Sequence, residues 1–169
     1  KCGPSSVCAE FSSHSLHSIP RPLSPPPRSP RPPLFRDCSV TDLPAFFRPI
    51  YLVSVASTND EVKDRARTGA PEGTLVVAGE QRAGRGRSGR QWTSKPGNLY
   101  MSLLLRPDGD AGRAAQISFL AAVALSTAIA DIAPNLTPLH KWPNDVLIQG
   151  AKVSGILLES SARAGGAVD

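Results

Sequence analysis

Residues 81–92 read QRAGRGRSGRQW, which places Arg82, Arg85, Arg87 and Arg90 among three glycines, Gly84, Gly86 and Gly89. Arginine keeps its charge near neutral pH, and its planar fork matches phosphate or carboxylate oxygens in pairs. Held this close, the guanidinium groups repel one another unless an anion sits among them. The glycines let the chain bend and let backbone N–H groups approach that anion. The pattern predicts a loop that is mobile when empty and orders over an anionic ligand, at about 1–2 kcal/mol per residue fixed. Trp92 adds a flat face on which a purine could stack. Composition alone also suits a solvated basic loop or an arginine–glycine contact to RNA.

A second group, KWPNDVLI, sets Lys141 at the end of a short strand, with Pro143 fixing a turn and Asn144 and Asp145 beside the bend. A lysine held at a strand end can put positive charge on a phosphoryl oxygen where charge develops. Asp145 could orient that lysine or help hold Mg²⁺ through water. Lys152 follows in GAKVSGILLE, ahead of Gly155, and glycine inside a strand often marks close approach of a ligand or another backbone. The third group is STNDE. Ser57, Thr58 and Asn59 offer hydroxyl and amide groups at a helix start, suited to capping or to binding a neutral polar ring such as a urea.

These groups need elements to hold them. IYLVSVAS (50–57) reads as a strand. Residues 57–69 read as a short helix with caps at its start, acids in its first turn and Gly69 at its end. GTLVVAGE (73–80) and NLYMSLLLRP (98–107) read as strands. Ile117, Leu120, Ala121, Ala124, Leu125, Ala128, Ile129 and Ile132 recur at helical spacing until Pro134. The rest reads as strand, turn at 142–145, strand, hairpin at 149–151, strand. Without regular βα alternation, the expected class is α+β with a largely antiparallel sheet. G-x-G-x-x-G at Gly84, Gly86 and Gly89 is therefore no dinucleotide fingerprint, because no helix opens after it.

Of the 17 prolines in 169 residues, 11 fall within residues 1–49, so residues 1–48 read as a Pro-, Arg- and Ser-rich disordered arm and 49–169 as the folded part. Cys2, Cys8 and Cys38 all lie in that arm, an odd count with no disulfide framework or zinc spacing. A cysteine-free folded part suits a reducing, cytoplasmic setting. No apolar run is long enough to span a membrane.

Taken together and in order, STNDE, QRAGRGRSGRQW and KWPND…KVSGILLE resemble the catalytic domain of the biotin–protein ligases, from about Leu52 to Ser160. The resemblance implies a class II aminoacyl-tRNA synthetase-like fold and a two-step reaction. Biotin and MgATP give biotinyl-5′-AMP, and a lysine of a biotin carboxyl carrier domain in a carboxylase then takes the biotin. It implies that Ser57, Thr58, Asn59 and Gln81 line the biotin pocket, with Lys152. Arg85, Gly86 and Arg87 would close over biotin and its adenylate. Trp92 would stack near adenine, and Asn144 and Asp145 would support the nucleotide. Lys141, with Arg87, would act on the reacting carboxylate and α-phosphate. No protein metal site is expected. Lipoate ligases and octanoyltransferases share the fold but are not expected to carry this loop with KWPND. The arm shows no resemblance to a helix-turn-helix domain, so no DNA-repressor role is expected, nor any membrane role; a homodimer is a further expectation. Relatives continue with a V-x-G-I-G-x-N strand and a small β-domain where this sequence ends at AGGAVD, which reads as a truncated catalytic domain.

Overall fold

The computed structural model describes residues 7–13, 43–107, 112 and 115–160. Seven strands form one sheet: β1 (Val7–Ser13), β2 (Arg48–Leu52), β3 (Thr74–Ala78), β4 (Tyr100–Leu105), β5 (Pro138–Lys141), β6 (Asp145–Ile148) and β7 (Ala151–Ser160). Among the described residues two long helices accompany them, α1 (Thr58–Arg67) between β2 and β3, and α2 (Ile117–Ile132) between β4 and β5. The sheet order is β2-β3-β4-β1-β7-β6-β5. Only β2 and β3 run parallel, joined by α1. Every other pairing is antiparallel. The class is α+β, as the sequence pattern predicts.

One expectation is overturned at the centre of this sheet. Val7–Ser13 belongs to the stretch read as a disordered arm, yet it pairs with β4 on one side and β7 on the other. Proline density drew the reading of residues 1–48 as a unit, and it masked a short alternation of Val7, Ala9 and Phe11 with Cys8, Glu10 and Ser12. Cys8 is thus part of the sheet, and the folded part is not cysteine-free. Residues 1–6, 14–42 and 161–169 lie outside the described residues, and with them Cys2, Cys38 and the AGGAVD end.

Helix α1 forms where its caps predict. Ser57, in extended conformation, accepts from the Asp60 amide at 3.5 Å; Asp60 and Glu61 occupy the first turn and Arg65 and Arg67 the last. Acids at the amino end and bases at the carboxyl end complement the helix dipole. The preceding strand is shorter than predicted, ending at Leu52, and Val55 makes only an isolated bridge to Gln81. Val62 and Ala66 of α1 pack on Val76 and Leu104, with Ile50 and Leu52 at the edge.

Helix α2 covers the opposite face. Side chains alternate across a strand, so Leu105 lies on the other face from Leu104, in one apolar group with Ile117 and Leu158. The buried stripe of α2 is narrower than the periodicity suggests. Ala121 and Ala122 are buried against Val146, Ile148, Val153 and Ile156, with Leu125 and Ile129 beside them. Leu120 and Ile132, expected on the core face, are 67% and 83% exposed. The reason is tertiary: among the described residues α2 packs mainly on β5, β6 and β7, and Leu120 and Ile132 point away from that contact.

The packing predicts a contrast between two leucines. Leu104→Ala, at a fully buried position, should cost about 2–5 kcal/mol in urea unfolding, whereas Leu120→Ala should stay within about 0.5 kcal/mol. Equal losses would contradict the assigned face of α2.

Candidate active site

The arginine–glycine segment is a hairpin. Gln81 bridges both Val55 and Ser94, and Arg85 bridges Gln91. The Trp92 amide donates to Gly84 O at 2.9 Å and the Gly86 amide to Arg90 O at 2.7 Å. At the tip, Ser88 and Gly89 both have positive φ, 58° and 72°, the signature of a type I′ turn, which matches the twist of flanking strands. Here lies the need for backbone freedom at Gly89. Gly84 answers a different need: a Cβ there would sit 2.6 Å from Ser94 Oγ and 2.7 Å from Trp92 O. Only a glycine lets the two arms of the hairpin approach this closely.

The hairpin forms one wall of a cleft of about 550 Å³, within the range of small-molecule sites. Arg85, Arg87, Arg90 and Trp92 line it from the hairpin, Asn144 and Asp145 from the β5–β6 turn, and Lys152, Gly155, Ile156 and Leu157 from β7. The lining carries three arginines and a lysine against one carboxylate, Asp145, so the cleft favours an anionic occupant. Lys152 Nζ lies 4.7 Å from the centre of the Trp92 ring and 2.7 Å from Asp145 Oδ1, an ion pair without hydrogen-bond alignment. A Cβ on Gly155 would meet both Lys152 and Trp92 at 3.2 Å. The glycine in β7 therefore leaves room for the indole to lie against the sheet. Asn144 anchors the turn: its Nδ2 donates to Ile156 O at 3.1 Å, and its backbone oxygen accepts from the Ile156 amide at 2.9 Å. Arg87 reaches Asn144 Oδ1 at 3.4 Å.

A buried polar cluster adjoins this cleft. Gln81 Oε1 accepts from the Thr58 amide at 2.7 Å and from Thr58 Oγ1 at 3.0 Å, and Gln81 Nε2 donates to Ser94 Oγ at 3.1 Å. Ser102 Oγ, on β4, lies 2.8 Å from Thr58 Oγ1 and 2.7 Å from Asn59 Oδ1. Asn59 Nδ2 donates to Glu159 Oε2 at 2.7 Å. Ser57, Thr58, Asn59 and Gln81 are each at most 5% exposed. Buried donors and acceptors must be paired, and this cluster pairs them largely with one another.

The structure thus sorts the residues singled out in the sequence. Arg85, Gly86, Arg87, Trp92, Asn144, Asp145 and Lys152 line the cleft, whereas Thr58, Asn59 and Gln81 form the cluster behind it, and Ser57 is buried as the cap of α1. Arg82 and Lys141 are exposed and do not line it. Lys141 is paired in register with Asp145, and Asp145 with Gly155, so by strand geometry Lys141 stands on the sheet face that carries the cleft. The sequence reading named Arg90 only as one of the four loop arginines, and it gave no site role to Ser102, Asp60 or Glu159. Ser102 and Glu159 had no visible signal, because their importance depends on which face of a strand meets α1.

Among the described residues no three His, Cys, Asp or Glu side chains converge as a metal site. Asp145, the one carboxylate lining the cleft, faces an ammonium. Among the described residues, the cleft lining therefore offers no carboxylate cluster to a cation.

With this geometry in view, the profile of the Biotin/lipoate A/B protein ligase family matches residues 51–167. The chain belongs to that family. It is 48% identical over 114 residues to the bifunctional ligase/repressor BirA of Bacillus subtilis, covering 67% of this chain and 35% of that protein. It is 50% identical over 111 residues to the biotin–[acetyl-CoA-carboxylase] ligase of Paracoccus denitrificans, covering 65% and 46%. Among solved structures, the Aquifex aeolicus biotin protein ligase in complex with biotin and ATP superposes with a TM-score of 0.59 at 34% identity, over 71% of this chain and 48% of that one. The chain spans between a third and a half of the length of these relatives. The α+β catalytic fold of biotin protein ligases is therefore the fold of this chain.

The hairpin makes one electrostatic prediction. Hydrogen bonds from Arg85 hold the Asp60 carboxyl below its ordinary value of 3.8, against the opposing push of partial burial. A depressed folded pKa means the contact contributes fully above the unfolded value and is lost as pH falls through the folded one. Its effect on global stability should be small, because Asp60 is 42% exposed. Carbon NMR of the Asp60 carboxyl should show a titration midpoint below 3.8, and Arg85→Gln should raise it; a wild-type midpoint at or above 3.8 would contradict the contact.

Proposed function

We propose that this chain carries the catalytic part of a biotin–protein ligase, which activates biotin with ATP and passes it to a carrier lysine. The observation that carries the reading is the cationic cleft with an indole on its wall, set beside a buried cluster of neutral donors and acceptors. Those two halves match the two halves of biotinyl-5′-AMP. The urea-like ring of biotin would exchange into the hydrogen bonds of Ser57, Thr58, Asn59 and Gln81. The nucleotide would lie in the open cleft, with adenine against Trp92 and support from Asn144 and Asp145.

In the first step a biotin carboxylate oxygen attacks the α-phosphorus of ATP. The bond from that phosphorus to the bridging oxygen breaks, and pyrophosphate leaves with its electron pair. Negative charge gathers on the phosphoryl oxygens, and Arg87, Arg90 and Lys152, which line the cleft, would face them. Fixed cations aimed at developing charge are among the largest contributors to catalysis. Lys152 is pre-set for this between the Trp92 face and Asp145. Lys141, on the same sheet face, supplies a further ammonium next to Asp145. Closure of the hairpin tip, Gly86 to Arg90, over the product would keep water from the mixed anhydride. In the second step a neutral lysine amine attacks the acyl carbon, AMP leaves, and the amide nitrogen gives up a proton.

The partner is then a biotin carboxyl carrier domain of a biotin-dependent carboxylase, and the reaction belongs in the cytoplasm. Among the described residues no helix is long and apolar enough to cross a membrane. No described element is assigned to DNA binding in this reading.

Incubation with radiolabelled ATP and biotin should yield biotinyl-adenylate in a biotin-dependent manner. Lys152→Ala should lower its rate by roughly 10²–10³-fold, the range seen when one transition-state donor is removed, and Lys141→Ala should also lower it. Label incorporation that ignores biotin, or is untouched by both substitutions, would refute the assignment.

A further inference from the structure

Arg85 lines the cleft, but its charge is already engaged by the protein. Its NH1 donates to Asp60 Oδ2 at 2.7 Å and its NH2 to Asp60 Oδ1 at 2.6 Å, a two-pronged pairing at the start of α1. The same NH2 lies 3.5 Å from Glu159 Oε2 on β7. That carboxylate oxygen also receives Asn59 Nδ2 at 2.7 Å and Lys63 Nζ at 3.0 Å. Two carboxylates from separate elements thus converge on one guanidinium at the root of the hairpin. Fork-to-carboxylate pairing fixes direction as well as distance.

The other cleft arginines are placed differently, while Lys152 pairs with Asp145 at 2.7 Å. Arg87 meets the neutral Asn144 side chain at 3.4 Å, and Arg87 and Arg90 are exposed at the tip. The hairpin therefore divides into a root tied down by charge and a tip that presents charge. Glu61, the other acid in the first turn of α1, pairs within the helix with Arg65 at 2.6 Å and takes no part.

We propose that Asp60 and Glu159 form a carboxylate catch for Arg85, which sets the arginine hairpin over the cleft and leaves Arg87, Arg90 and Lys152 to meet the ligand's phosphate. Arg85 and Asp60 are positioning residues in this account, acting on the ligand through the hairpin they hold. The proposal rests on the ligase reading only for the identity of the anion.

Limited trypsin digestion of the full chain tests the catch without relying on catalysis, because the bonds after Arg87 and Arg90 lie in the tip. Asp60→Asn should speed cleavage there about tenfold, the order expected from losing a charge-assisted pair, while the urea midpoint stays close to that of the wild type. Asp60→Glu should restore part of the protection, and Glu61→Gln should change nothing. Cleavage of the wild type should also rise with salt, as a screened ion pair requires, and that salt effect should shrink in Asp60→Asn, where Glu159 still faces Arg85. If Asp60→Asn shifts the urea midpoint, Arg85→Gln decides, since it leaves α1 intact and must show the same rise in cleavage. Unchanged cleavage in Arg85→Gln, or an equal rise in Glu61→Gln, would overturn the catch. A chain that makes no biotinyl-adenylate yet shows the Asp60→Asn effect would sink the proposed function and leave the catch standing.

Discussion

The carboxylate of Glu159 stands where three parts of the molecule must agree. It comes from β7, accepts from Asn59 and Lys63 of α1, and lies near the Arg85 fork at the root of the hairpin. Such a group is partly removed from water, so its hydrogen bonds and charges must be matched by neighbours. The neighbours available are those that α1 and the hairpin bring. The position of the cleft follows from that matching, because its walls are the same hairpin and the same strand.

A second consequence concerns the sheet. Helix α1 lies on β4, β3 and β1, and α2 on β7, β5 and β6. Within the sheet, β1 joins the two halves through ladders on both of its sides. The contacts from Asn59 and Arg85 to Glu159 cross the same divide through side chains. The polar cluster and the catch therefore do two things at once: they set binding groups in place and tie the halves together. Polar networks of this kind are strong when every member is satisfied and costly when one is not.

Glycine has two separate roles in the site, and they are easily confused in a glycine-rich run. Gly89 serves a turn whose central residues need positive φ, as Ser88 beside it does at 58°. Gly84 and Gly155 serve close approach: one lets the hairpin arms meet, the other admits Trp92 and Lys152 to the surface of β7. The superficial likeness to a nucleotide-binding glycine run is explained by the first role. What distinguishes the segment from a dinucleotide loop is that it returns into a strand.

Much of the local structure was legible in residue types. Ser57 and the acids after it announce α1, Pro134 closes α2, and the arginine–glycine run announces an anion-facing loop, because caps, proline and charge act over a few residues. Family membership was legible too, from three motifs whose order and spacing few other folds would require. Other features belong to the tertiary structure alone. That Leu120 faces outward, that Val7–Ser13 enters the sheet, and that Arg85 is held by Asp60 and Glu159 all depend on partners distant in the chain. The physical reason is that burial and ion pairing are properties of juxtaposition: Asn59 and Glu159 lie 100 residues apart, and only the folded sheet makes them neighbours.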